Sequence, residues 1–328
     1  MTWPTLPTRT ADGAEVVTFG EAMTLLRAET GIPLRSATRF ERDVAGAETN
    51  VAIGLARLGV RVSLTLRLGN DAFGEAVAGA CRAEGIALRV VTDDHRPTGL
   101  LIRDVLADRP IEVVYHRSGS AASALEVTDL PLDDIAPARV LHVSGITPLL
   151  SLSAAEATRA AVIAARDGGT MVSFDPNLRR RRADPATAVA CWAPIIEHSD
   201  IVLASVDEAE VIAGTTEPDA IASSLHERGV GVVVVKDGAA GCWASEGHGI
   251  IEQPAFDVRC VDPVGAGDAF AAGFLFAVLD NRDVPEALLA GSAVAACAVQ
   301  VAGDIAGLPT RRHLDQLLRD AHSRDVLR

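Results

Sequence analysis

The chain is poor in aromatic residues and cysteine, and it lacks any long apolar run. Aromatics make up 4% of its 328 positions, with one tyrosine and three tryptophans. A stacking platform for single-stranded nucleic acid needs exposed aromatics along a basic groove. The formal net charge of −14 speaks against the groove as well, because an acidic surface repels a phosphate backbone. A small anion is still admissible, since local Arg side chains and backbone N–H groups can hold one against the global field. The five cysteines, Cys81, Cys191, Cys242, Cys260 and Cys297, are odd in number, far apart and without a C-x-x-C pair. Reduced, mostly buried thiols are therefore expected, with neither a disulfide framework nor a zinc cluster. The eight histidines show no ligand spacing. No stretch approaches the ~20 apolar residues that span a bilayer. The leading MTWPTLPTRTADGAE has no apolar stretch and no basic flank, so a secretory signal is not expected there. Residues 1–14 read as a disordered tail, and the expected location is cytoplasmic.

What the chain does have is 48% hydrophobic residues and 28 glycines, enough for a sizeable core of Ala, Val and Leu with many tight turns. From about residue 15, β-rich runs alternate with helical patterns. VVTFG (16–20), RVSLTLRLG (61–69), VLHVSG (140–145), TMVSFD (170–175), DIVLAS (200–205) and GVVVVKDG (231–238) read as strands. AETNVAIGLARLG (47–59) places Val51, Leu55 and Leu58 at helical spacing, and DAFGEAVAGACRAEG (71–85) reads as a further helix. Valine-rich runs without polar alternation are the mark of parallel strands covered on both faces, so the rhythm predicts a doubly wound α/β sheet. Residues 25–43 and 97–117 break it. Each reads as a strand pair with no helix between, the second turning at ADRP (107–110), and together they suggest a small β lid. No internal repeat or linker appears, so one domain over residues 15–328 is expected, with that lid.

The chemistry concentrates in VDPVGAGDAFAAGF (261–274). A Gly-Ala-Gly loop opening a helix offers unpaired N–H groups to an anion. Asp268 stands on the helix's first turn, either as a cap or as a general base beside the anion hole. Rival glycine motifs fail: the P-loop pattern is absent, and the third position of a G-x-G-x-x-G reading is Phe270.

DPVGAGDAFAAGF resembles the C-terminal signature of the PfkB/ribokinase family of carbohydrate kinases, and AGAETNVAIGLARLG (45–59) resembles its N-terminal signature. The likeness runs through most of residues 16–310. GAETNVA, YHRSGSAASAL (115–125), SGITPLLS (144–151), DPNLR (175–179) and AGDIAGLP (302–309) look most like the 2-keto-3-deoxygluconate kinase branch. The resemblance implies a ribokinase-like three-layer α/β/α fold with a mostly parallel sheet, ATP and Mg²⁺ as cofactors, a small sugar acid as acceptor, and a homo-oligomer, a dimer through the lid. Neither a nucleic acid nor a membrane is implied as a partner.

Carried over residue by residue, it makes Asp268 the base and Gly265, Ala266 and Gly267 the anion hole. On the nucleotide side it implies Lys236, Gly238 and Gly241, with Asn177 and Ser205. These could equally be a strand end and ordinary turns. Glu208 in ASVDEAE (204–210) would act on Mg²⁺ through water, although Ser205 replaces the family's Asn. On the sugar side it implies Gly46, Asn50, Tyr115, Arg117, Ile146, Arg179 and Asp304. Arg117 and Arg179 are the expected carboxylate and hydroxyl clamps, since a guanidinium fork suits a carboxylate. Arg179 also opens the run RRRR (179–182), which would otherwise read as a solvated cluster, and Asn50 could be a helix cap. Asp262 would organise a monovalent cation, K⁺, or cap its Asp-Pro turn. Leu101 stands where some members of the branch carry Tyr, which leaves the sugar more open than the reaction.

Overall fold

The computed structural model of the chain describes residues 13–106, 111–178 and 184–326, with side chains as far as residue 321. Arg179, the ADRP turn and most of the N-terminal tail lie outside the described residues.

Thirteen strands are seen among them. β1 (Val16–Gly20), β2 (Met23–Ala28) and β3 (Phe40–Ala45) precede helix α1 (Ala47–Arg57). β4 (Val62–Gly69), α2 (Ala72–Ala83) and β5 (Ala87–Asp93) follow, then β6 (Gly99–Arg103) and β7 (Val113–His116). A regular run comes next: α3 (Leu132–Ile135), β8 (Val140–Ser144), α4 (Leu152–Gly168), β9 (Met171–Asp175), α5 (Pro185–Ile196) and β10 (Ile201–Ser205). It continues through α6 (Val206–Ala213), α7 (Pro218–Glu227), β11 (Val232–Lys236), β12 (Cys242–Ser245) and β13 (Ile251–Gln253). The described chain closes with α8 (Ala266–Leu279), α9 (Val284–Ala298) and α10 (Arg311–Val326).

Nine strands form one sheet in the order β13-β12-β11-β10-β9-β8-β1-β4-β5. Only β12, next to the β13 edge, is reversed, pairing antiparallel with both β11 and β13. Successive residues of its central strands enter two different cores. Val16, Ile201 and Val232 pack with α1, α8, α9 and α10, while Val17, Val202 and Val233 pack with α4, α5, α6 and α7. That is why these strands read as unbroken valine and isoleucine rather than as polar alternation. The result is the three-layer α/β/α arrangement.

The other four strands make a second sheet in the order β3-β2-β6-β7. The segments expected to pair do so antiparallel, β2 with β3 and β6 with β7. The two pairs are joined by a parallel β2–β6 contact, which the local pattern could not show. Met23, Leu25, Ala45 and Leu101 fill a small apolar cluster of their own.

Chain reversal beside β1, which pairs with β4 on one side and β8 on the other, creates a switch point in the sheet. Open α/β sheets bind ligands at such a place, outside the carboxyl ends of the strands. Here those ends carry Gly20, Ser144, Asp175, Ser205 and Lys236, with Ser144 in register with Asp175 and Ser205 with Lys236. No helix among the described residues is long and apolar enough to cross a membrane.

One buried polar group in the sheet has a consequence for stability. His142 on β8 is buried, its Nδ1 3.2 Å from Ser173 Oγ. Burial, with the nearby Lys236 charge, depresses its pKa to about 3. A depressed histidine is neutral in the fold and charges on unfolding, so this contribution is full above the ordinary value of 6.5 and is lost as pH falls toward 3. His142→Gln is therefore expected to flatten the stability–pH curve between pH 6.5 and 4 by at most about 1.4 kcal/mol per pH unit, read from urea unfolding. A slope equal to that of the parent chain would show that His142 does not titrate on unfolding.

Candidate active site

α8 is buried over almost its whole length, with Asp268 and every residue from Ala269 to Leu279 inside. A helix apolar all round needs neighbours on every side, and α1 and α9 supply them. Its first turn therefore opens at a fixed place above the sheet. The N-cap is Gly265, at φ +81°, and no side chain caps the helix. A Cβ there would stand 2.7 Å from the Asp304 carbonyl oxygen, so both the backbone conformation and the space demand glycine.

Asp268 is thus the third helical residue and not the cap. Asn50 Nδ2 donates to its Oδ2 at 2.8 Å, and Asn177 Nδ2 donates to its Oδ1 at 3.0 Å. Two amide donors, one on each oxygen, suit a carboxylate. They also fix its plane from two separate parts of the fold. Asn50 lies inside α1, whose N-cap is Gly46, so the capping role open to it from sequence is not the one it has. Its Oδ1 is buried without a protein partner among the described residues, an acceptor suited to a ligand hydroxyl. Asn177 follows β9 at φ +46°, a conformation Asn tolerates better than most residues, and its N–H donates to Asp175 Oδ1.

A second charged group lies beside the loop. Lys236 Nζ donates to Asp175 Oδ2 at 2.6 Å, and a Cβ on Gly267 would be 3.5 Å from that nitrogen. Burial alone would lower the Lys236 pKa, but Asp175, Glu208 and Asp268 outweigh it and hold the ammonium charged. Glu208 closes the capping box of α6: its Oε2 accepts from Ser205 N at 2.7 Å, while its Oε1 accepts from Leu178 N at 2.6 Å. Burial, then the Asp175 charge, pushes its carboxyl up. The sequence offered Glu208 as a solvated acid or a metal organiser, and the structure shows a buried one engaged with backbone.

These groups line one cavity of about 540 Å³. Asp175, Asn177, Ser205, Glu208, Lys236, Gly238, Gly241 and residues 265–268 make its polar side. Phe256, Val258, Ala295, Ala296 and Val299 make an apolar wall, which the sequence reading did not anticipate because nothing local marks the β13–α8 loop as a ligand surface. Loop N–H groups, a held ammonium and an apolar wall suit an anionic ligand with a flat apolar part. Of the loop donors, Ala266 N–H turns back to the Pro263 carbonyl at 3.3 Å. No group of three or more His, Cys, Asp or Glu among the described residues is arranged to hold a metal ion. The donors fit a hydrated Mg²⁺ carried by phosphates better than a protein-built cage.

The remaining expected residues sit elsewhere. Gly46, Asn50, Tyr115, Arg117 and Ile146 do not line this cavity, although Asn50 reaches it through Asp268. Gly46 has Glu21 O 2.3 Å from where a Cβ would stand, so its glycine serves close chain approach. Arg117 is buried in a two-pronged pair with Glu21, Nε donating to Oε1 at 3.0 Å, and its guanidinium lies 5.4 Å from the Tyr115 ring centre. A carboxylate arriving there meets a guanidinium already compensated. Glu21 went unnoticed in the sequence, though an acid directly after the first strand was a usable signal. Glu48, also unanticipated, is buried and accepts from the Ser144 and Thr147 hydroxyls at 2.6 Å each. Ile146 lies in a loop held by the buried Trp192, whose indole N–H donates to Gly145 O at 3.0 Å.

Two more of the expected residues share one buried guanidinium. Asp304 is not open to the cavity: it is buried, with Arg103 Nη2 2.9 Å from its Oδ1. The same Arg103 nitrogen is 2.7 Å from Asp262 Oδ2, and Asp262 Oδ1 accepts from Val264 N at 3.2 Å, the turn-capping role the sequence also offered it.

Fold and site together define a cleft with a glycine-capped helix start and a pinned carboxylate, above a doubly wound sheet. The chain belongs to the pfkB family of carbohydrate kinases, whose profile matches residues 14–311, and it is a sugar kinase. It is 37% identical over 309 residues to a 2-dehydro-3-deoxygluconokinase of Bacillus subtilis, covering 93% of this chain and 95% of that one. It is 33% identical over 312 residues to a 2-dehydro-3-deoxygalactonokinase of Haloferax volcanii, with 93% and 97% covered. Among solved structures, a PfkB protein from a Polaromonas species superimposes with a TM-score of 0.84 at 40% identity, over 92% of this chain and 99% of its own.

If the two amides set the carboxylate's position, Asn50→Ala and Asn177→Gly, glycine accepting the backbone at φ +46°, should each lower kcat by roughly 10–100-fold. The circular dichroism and melting temperature should stay near those of the parent. Full kcat in either variant would show that the carboxylate needs no such hold.

Proposed function

We propose that the chain transfers the γ-phosphoryl group of ATP to the terminal hydroxyl of 2-keto-3-deoxygluconate, giving the 6-phosphate. The observation that carries this reading is Asp268, held by Asn50 and Asn177 at the start of α8, next to the loop N–H groups and Lys236. Phosphoryl transfer calls for in-line positioning and for stabilising charge on the transferred oxygens. Asp268 takes the proton from the attacking hydroxyl. The N–H groups of Gly265, Gly267 and Asp268 and the Lys236 ammonium receive the negative charge that builds beside it. The apolar wall of Phe256, Val258 and Ala296 takes the base of the nucleotide. Mg²⁺, if brought with the phosphates, would supply further charge neutralisation, and Glu208 is the carboxylate that would help hold it. The small sheet covers the sugar as a lid.

The sugar acid is favoured over a neutral sugar by the two relatives named above, both kinases of keto-deoxy acids. This reading assigns the substrate carboxylate to Arg117, which must then share its charge between that group and Glu21. A neutral ketose or pentose is the second reading, supported by Leu101, which is buried and offers an apolar wall where a phenol would give a hydrogen bond.

A coupled ADP assay with 2-keto-3-deoxygluconate, 2-keto-3-deoxygalactonate, fructose and ribose separates these readings. The sugar acids are expected to exceed the neutral sugars by at least 100-fold in kcat/KM, and Arg117→Met should erase most of that margin. Higher kcat/KM for fructose or ribose would keep the reaction and overturn the choice of acceptor.

A further inference from the structure

Where the small sheet meets the loop preceding α8, one guanidinium lies between two carboxylates, and none of the three lines the cavity. Arg103, the last residue of β6, is 1% exposed, and Asp262 and Asp304 are 0% and 5% exposed. Arg103 Nη2 donates to Asp262 Oδ2 at 2.7 Å and to Asp304 Oδ1 at 2.9 Å. Asp262 is otherwise engaged with backbone: Oδ2 also accepts from Gly303 N at 2.9 Å, and Oδ1 accepts from Val264 N at 3.2 Å. Asp304 contributes through its own backbone, because its carbonyl backs directly onto Gly265. The two carboxylates that Arg103 holds therefore bracket the cap of α8, one on the chain leading into it and one behind it.

We infer that Arg103 is a positioning residue for the phosphoryl-binding loop, and that its guanidinium takes the place of a monovalent cation beside Asp262, leaving the chain independent of K⁺. This rests on the phosphoryl-transfer reading of the Gly265–Asp268 turn. Three of the roughly four lone-pair positions of the Asp262 carboxylate are already filled by N–H donors. A cation added there would also face a guanidinium only 1% exposed, where burial leaves the repulsion weakly screened. Arg103 Nε and Nη1 have no hydrogen-bond partner among the described residues, so this corner of the site is short of acceptors, not of positive charge. Burial lowers the tendency of Arg103 to stay charged, and the two carboxylates outweigh it. Because Arg103 belongs to the small sheet and Asp262 to the α8 loop, the same contact makes the loop's position depend on where that sheet sits.

The test is steady-state turnover in KCl, NaCl and tetramethylammonium chloride at equal ionic strength, for the parent chain and for Arg103→Gln. The parent kcat is expected to agree within 2-fold in all three salts. Arg103→Gln is expected to lose at least 100-fold in kcat with the ATP KM within 3-fold, and to regain 10-fold or more in KCl over tetramethylammonium, as K⁺ enters the vacated corner. Activation of the parent by K⁺ of 10-fold or more overturns the inference, as does an Arg103→Gln enzyme with full kcat in tetramethylammonium. Should Arg103→Gln not fold, Arg103→Lys, which keeps the charge, replaces it and is expected to remain insensitive to K⁺; K⁺ activation of that variant counts against the inference. Should no acceptor be turned over, the proposed reaction fails but this inference stays testable. The parent's melting temperature is then expected to be the same in KCl and tetramethylammonium chloride, and a K⁺-specific rise overturns it.

Discussion

The carboxylate of Asp268 is held by two amides that come from opposite parts of the molecule. Asn50 arrives on α1, the helix that follows the small sheet's first strand pair, and Asn177 on the turn after β9. Neither hydrogen bond is worth more than about 1–3 kcal/mol, but together they remove the rotational freedom that a carboxylate on an open helix turn would keep. Everything else in the cleft is placed relative to that point. α8 must be buried for its first turn to be fixed, Gly265 must be glycine for the loop to back onto Asp304, and Asn177 must tolerate a left-handed backbone to reach across.

A second layer of order is electrostatic. Lys236, Asp175, Glu208 and Asp268 come from four elements and form one buried cluster, a single ammonium among three acids. Burying such groups is costly, and breaking one pair leaves the other charge uncompensated. Glu208 shows how the roles overlap: it caps a helix, fixes the Leu178 backbone and still contributes charge to the cavity wall.

The strands and their two-faced burial were legible because a valine run such as 231–235 carries its own evidence, and the loop at 261–268 was legible because glycine and acid spacing is local. The pairing of β2 with β6 was not, since parallel contacts between separate hairpins leave no mark on either. Arg103 was passed over for the same reason. Its partners Asp262 and Asp304 lie about 160 and 200 residues away, and nothing in TGLLIRD (98–104) signals that an arginine there is buried. Asp304 and Asp262 were noticed without their shared partner: the sequence shows that an acid is present, not that a guanidinium from another sheet already holds it. Asn50 was found for its motif, and its actual contact, with Asp268, needed the fold.

The central claim is that Asp268 acts in the chemical step and not in binding the nucleotide. Calorimetric titration of ATP–Mg²⁺ into Asp268→Asn, set beside single-turnover phosphoryl transfer to the preferred acceptor, tests this most directly. The account predicts an ATP Kd within about 3-fold of the parent and a transfer rate lower by roughly 10³-fold or more. A transfer rate within 10-fold of the parent, or a loss explained wholly by weaker ATP binding, would contradict it.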